Sequence, residues 1–111
     1  MKTVTNKQLA AISKAIVSVA NPVKVILLGS QARGTADENS DVDLLVIGER
    51  PSNTPWSRRR LIGKIRRSLP FIGLPIDILF FTPKEIAKWS GTTNHIIVDA
   101  LKEGEVIYDR S

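Results

Sequence analysis

The chain contains no cysteine. Disulfides and thiolate metal sites are therefore excluded, and a reducing compartment fits. No apolar run is long enough to span a bilayer, and the opening segment, Met1 to Lys14, lacks the apolar stretch of a secretory signal. A cytoplasmic chain without membrane attachment is the expectation. Histidine occurs once, at His95, with no ligand partner near it in sequence, so a metal role for it is not expected. Aromatics are scarce at 5% of residues, and Trp56 is the only one within the most basic stretch. That scarcity argues against base stacking on nucleic acid. Charge of one sign is also missing locally. From Pro55 to Pro70 there is no acid among Arg58, Arg59, Arg60, Lys64, Arg66 and Arg67. From Asp37 to Glu49 there are five acids and no base.

What is present fits one small globular domain, residues 1–111, with 42% hydrophobic and 24% charged residues. Thr5 and Gln8 form a capping-box pattern, and Leu9, Ile12, Ile16 and Val19 recur at helical spacing. A first helix is expected from about Asn6 to Val19, stopped by Asn21-Pro22. Val23 to Leu28 reads as a buried strand, residues 30–35 as a short helix and Val42 to Ile47 as a second strand. Thr54 and Pro55 look like the cap and first position of a basic helix ending near Leu69. Its apolar stripe is Trp56, Leu61, Ile62, Ile65 and Leu69. Ile76 to Phe81 is a third strand, and Thr82-Pro83-Lys84-Glu85 opens another short helix that ends by Gly91. A last helix, about Asn94 to Lys102, and a short closing strand at Val106 to Tyr108 complete the order. The fold class is α/β: a small mixed sheet with flanking helices. The second and third strands are expected to pair in parallel through a helical crossover.

The chemistry concentrates between Gly29 and Ile47, in GSQARGTADENSDVDLLVI. A strand ending in Gly29-Ser30 offers its turn and the following amides to phosphate oxygens. Asp41 and Asp43, two residues apart at a strand start, share one face with Cα atoms about 6.5 Å apart. Two such carboxylates repel unless a cation lies between them, and Mg²⁺ is the hard, oxygen-seeking ion that suits carboxylate and phosphate together. Asp77 is an acid within the apolar run Pro75 to Phe81. As a buried charge it would cost several kcal/mol unless paired or metal-bound. Three carboxylates holding two Mg²⁺ ions suit an in-line phosphoryl displacement, with Asp77 placed to take the proton of an attacking hydroxyl. This is not a Walker A loop, because GSQARGTA lacks the Gly-Lys-Ser/Thr ending. Arg33 has two readings, a phosphate contact or an ion pair that pins the short helix. Ser40 is a candidate for the nucleotide site or for ordering the loop before Asp41. Trp56 and Trp89 are expected in packing or partner contacts.

Gly-Ser, ten residues, Asp-x-Asp and a third Asp on a later strand resemble the nucleotidyltransferase superfamily of the DNA polymerase beta type. GSQARGTADENSDVDLLV and the tail IIVDALKEGEVIYDRS are similar to its minimal nucleotidyltransferases. The resemblance runs from Val23 onward. It implies nucleotidyl transfer from ATP with Mg²⁺. Asp41, Asp43 and Asp77 would be catalytic metal ligands, and Gly29 and Ser30, with Arg33 and Ser40, the nucleotide-binding residues. It also implies an antitoxin role beside a HEPN-domain toxin, in some relatives by transfer of AMP to that partner. Two other functions stay open. One is neutralisation of a partner by contact with little catalysis. The other is nucleic-acid binding through the basic helix at 55–69.

Overall fold

The computed structural model describes residues 4–34, 41–50, 57–89 and 101–110. Helix α1 spans Asn6–Ala20. The Thr5 hydroxyl accepts from the Gln8 amide at 3.1 Å, and the Gln8 side chain accepts from the Thr5 amide at 2.9 Å. This reciprocal cap satisfies two donors that every helix start leaves unpaired. Asn21 ends the helix in the left-handed region, with φ of 44°, a conformation asparagine tolerates. Strand β1 (Lys24–Leu28) follows, then helix α2 (Gly29–Arg33) and strand β2 (Val42–Ile47). Helix α3 (Arg58–Ser68), strand β3 (Ile76–Phe81), helix α4 (Pro83–Trp89) and strand β4 (Glu105–Asp109) complete the described elements.

The sheet has the order β3-β2-β1-β4. β2 and β3 are parallel, joined through α3 as expected, while β1 pairs antiparallel with both β2 and β4. One sheet face presents Val25, Leu27, Val42, Leu44, Val46, Ile78 and Phe80 to Ile12 and Ile16 of α1 and Leu61 and Ile65 of α3. The alternate residues Ile26, Leu28, Leu45 and Ile47 form a second cluster with Phe81, Ile86, Trp89 and Leu101. β1 and β2 are buried on both faces, which is why their sequences are continuous apolar runs. The Phe81 and Trp89 rings meet edge to face at 4.8 Å, closing α4 onto the end of β3.

Two expectations need correction. The basic helix begins at Arg58, where the Ser57 hydroxyl accepts from the Arg60 amide at 3.3 Å. Ser57, not Thr54, is its cap. Thr54, Pro55 and Trp56 lie outside the described residues, as does the expected last helix except for helical residues 101–103. Second, Asp77 is not a buried charge. β3 is an edge strand whose second face is open near its start, and Asp77 is exposed there.

Two of the basic residues of α3 bind the sheet. Arg58 Nε donates to the Phe80 carbonyl at 2.9 Å, and Arg66 Nη1 donates to the Ile76 carbonyl at 2.7 Å. Eight helical residues and four strand residues cover the same length, about 12–13 Å. The two guanidiniums therefore cap outward carbonyls at both ends of the edge strand, which protects it from pairing with another chain.

Arg58 also stacks over Phe81 at 5.2 Å and pairs with Glu85. Partial burial alone would push the Glu85 carboxyl up. The Thr82 amide, the Arg58 guanidinium and the Thr82 hydroxyl outweigh it and hold the carboxyl below its ordinary 4.5. A depressed carboxylate contributes stability that is complete above its unfolded value and is lost as pH falls through the folded one. The melting temperature should therefore drop more steeply below pH 4.5 in the wild type than in Glu85→Gln, as circular dichroism would show.

Candidate active site

The site lies where β1 ends and β2 and β3 begin. Leu28 is the partner of Asp43 across β1 and β2, and Asp43 is the partner of Asp77 across β2 and β3. Side chains alternate along a strand, so Asp43 and Asp77 point to the same sheet face. Asp41, exposed, immediately precedes β2. Asp43 is half-buried. Burial, then the Asp77 carboxylate, then the Asp41 carboxylate push its carboxyl above the ordinary 3.8. The sheet thus gathers the three acids into one electrostatic neighbourhood, although they are up to 36 residues apart in sequence.

Gly29 is the hinge between β1 and α2. Its φ of 71° lies in the left-handed region, and a Cβ built there would stand 2.9 Å from Asp43 Oδ2. The position is closed to side chains for two independent reasons. One is backbone conformation; the other is the passage of the Asp43 carboxylate over the glycine. The sequence marks Gly29 for close approach to phosphate, and the structure adds its approach to Asp43. Ser30 and Arg33 belong to α2 by their backbone, but their side chains lie outside the description, and Ser40 and His95 lie outside the described residues altogether.

Sequence reasoning missed Gln31. Its side chain is buried and accepts the Val4 amide at 3.1 Å, fastening the turn after Gly29 to the entry of α1. Its place inside the glycine-serine motif was the available signal. Arg58 and Arg66 are engaged with main-chain carbonyls of β3.

Among the described residues, no group of three or more His, Cys, Asp or Glu side chains is drawn together as a ready metal cage. The donor set is nevertheless of one kind. A carboxylate pushed up by two neighbouring carboxylates, as Asp43 is, sits in the environment that a hard divalent cation relieves. The residues present therefore fit Mg²⁺. No helix among the described residues is long and apolar enough to cross a membrane.

Known proteins share this fold. The family model for the nucleotidyltransferase domain matches residues 7–107. A provisionally assigned protein adenylyltransferase of Methanocaldococcus jannaschii, MJ1305, is 37% identical over 91 residues, covering 79% of this chain. The chain spans 59% of the length of that relative. A provisionally assigned nucleotidyltransferase of Sulfolobus solfataricus superposes with a TM-score of 0.62 at 18% identity, over 95% of this chain and 80% of that one. A chain from a toxin–antitoxin structure with AMP-PNP superposes with a TM-score of 0.56 at 14% identity, over 97% and 76%. At such identities these two likenesses concern the fold. The family match takes in β1, α2, β2 and β3, the elements that carry Gly29, Asp43 and Asp77, and the chain belongs to the nucleotidyltransferase domain family.

Proposed function

We propose that this protein is a Mg²⁺-dependent adenylyltransferase that moves AMP from ATP to a hydroxyl of a partner protein. In this reading it is the antitoxin of a HEPN-type toxin. The observation that carries the reading is the register of Asp43 with Asp77 on one sheet face, two residues after Asp41 and beside a glycine turn that admits no side chain. The adenylyltransferase relative and the toxin–antitoxin neighbour support the nucleotide and the partner.

Each residue has a role in this scheme. Gly29 lets the backbone turn under the triphosphate, and Ser30 with the amides that follow binds its oxygens. Arg33 and Ser40 complete the nucleotide side. Asp41, Asp43 and Asp77 would hold two Mg²⁺ ions, which when bound supply the charge that lets a triphosphate and three carboxylates share one site. Asp77, on the open edge strand, faces the side from which an acceptor arrives. Its carboxylate takes the hydroxyl proton as the new oxygen–phosphorus bond to the α-phosphate forms, and the bond to the β-phosphate bridging oxygen breaks to release pyrophosphate.

The first test is nucleotide binding. The ATP affinity measured by calorimetry should fall at least about tenfold when EDTA replaces Mg²⁺, because like charges then meet with no cation between them. Asp43→Ala should remove most of that difference. Equal affinity with and without the ion would refute the assignment.

A further inference from the structure

The far ends of β2 and β3 carry the opposite charge from the ends that hold the acids. An open concavity of about 640 Å³ lies there, and its described lining includes Arg58, Lys84, Lys88 and one carboxylate, Glu85. Asp43 and Gly48, like Asp77 and Thr82, are five residues apart, so about 16 Å of extended strand separates the two sites.

Arg58 gives this hollow its chemistry. Its guanidinium is held by the Phe80 carbonyl, by Glu85 and by the Phe81 ring. These contacts use Nε and one donor of Nη2, and the side chain stays 40% exposed. Three further N–H donors remain. A cation already fixed in place loses little entropy on taking up an anion. Lys84 and Lys88, four residues apart on α4, stand on one helix face and are both exposed.

We propose that this concavity seats carboxylate side chains of an acidic segment on the partner protein, with Arg58 as the fixed receptor and Lys84 and Lys88 as flanking cations. The inference rests on the reading of the chain as one that works with a protein partner. Protein is favoured over RNA because the ring beside the hollow, Phe81, already carries Arg58 on its face and Trp89 at its edge. No described aromatic residue lines the hollow for a base to stack on. A partner seated there would leave the carboxylate end, about 16 Å away, open for its acceptor hydroxyl.

The probe is fluorescein-labelled hexaglutamate, followed by anisotropy with the full chain. A single-stranded RNA hexamer with the same label is the second arm. The expected result is saturable, salt-sensitive binding of hexaglutamate that Lys84→Glu/Lys88→Glu weakens at least tenfold. Arg60→Glu/Lys64→Glu on the solvent side of α3 should change it less than twofold. Mg-ATP affinity, measured on the same samples, should be unchanged in both variants, which separates failure of this proposal from failure of the nucleotidyl-transfer reading. Absent binding, equal weakening by the two double variants, or tighter RNA binding with the same lysine dependence would each overturn the proposal.

Discussion

Asp43→Asn is expected to abolish nucleotidyl transfer while raising the melting temperature. Asp43 is the acid that burial, Asp77 and Asp41 all push toward the protonated form. A carboxyl whose folded value is raised costs stability wherever it is ionised, and the cost disappears only at a pH low enough to protonate it. Asparagine keeps the shape and deletes the charge, so the fold gains. The group is partly open to water, and the gain is correspondingly small, a rise of about 1–3 °C. The activity loss is large. In the proposed mechanism Asp43 holds metal, and its loss forfeits several kcal/mol of transition-state stabilisation, at least about 1,000-fold in rate. Asp77→Asn should lose comparable activity with almost no change in melting temperature, because Asp77 is exposed on the edge strand. Differential scanning fluorimetry beside a transfer assay reads both. A melting temperature that falls in Asp43→Asn would show that the carboxylate stabilises the fold instead.

Gly29→Ala is the second large effect. Alanine must adopt φ near 71° and place its Cβ 2.9 Å from Asp43 Oδ2. The left-handed conformation alone costs about 1 kcal/mol, equivalent to roughly 4–8 °C in a domain of this size. The clash adds to that and displaces the carboxylate. Misplacing a catalytic group by about 1 Å costs on the order of 100-fold in rate. A double-mutant cycle separates the two terms. With Asp43→Ala in the background the clash disappears and the backbone term remains, so Gly29→Ala should destabilise less there than in the wild type. An equal penalty in both backgrounds would mean that the glycine serves conformation only.

Much of this was legible because the relevant signals are local. β2 and β3 have the expected limits, Val42–Ile47 and Ile76–Phe81, since both are apolar runs bounded by turns and caps. The caps of α1 and α4 were equally readable, since each partner sits three residues from the other. The parallel pairing of β2 and β3 followed from the helix between them. Long-range placement was not legible. Nothing local puts β4 beside β1, or makes β3 an edge strand, so Asp77 was singled out as a buried charge when its significance is its register with Asp43. The sequence does not show what Arg58 and Arg66 bind. Their acceptors are main-chain carbonyls 22 and 10 residues away, and carbonyls carry no sequence signature. Arg58→Glu would therefore disturb the fold and is a poor probe of partner binding, whereas Lys84 and Lys88 leave the framework untouched.

The fate of the AMP group separates nucleotidyl transfer from neutralisation by contact. Intact-mass spectrometry of a HEPN-type partner, after incubation with this chain, ATP and Mg²⁺, measures it directly. The expected result is a mass increase of one AMP residue or a whole multiple, with pyrophosphate released, and no increase with Asp41→Ala or in EDTA. An unchanged partner mass, under conditions where the two proteins demonstrably bind, would contradict transfer and leave neutralisation by contact.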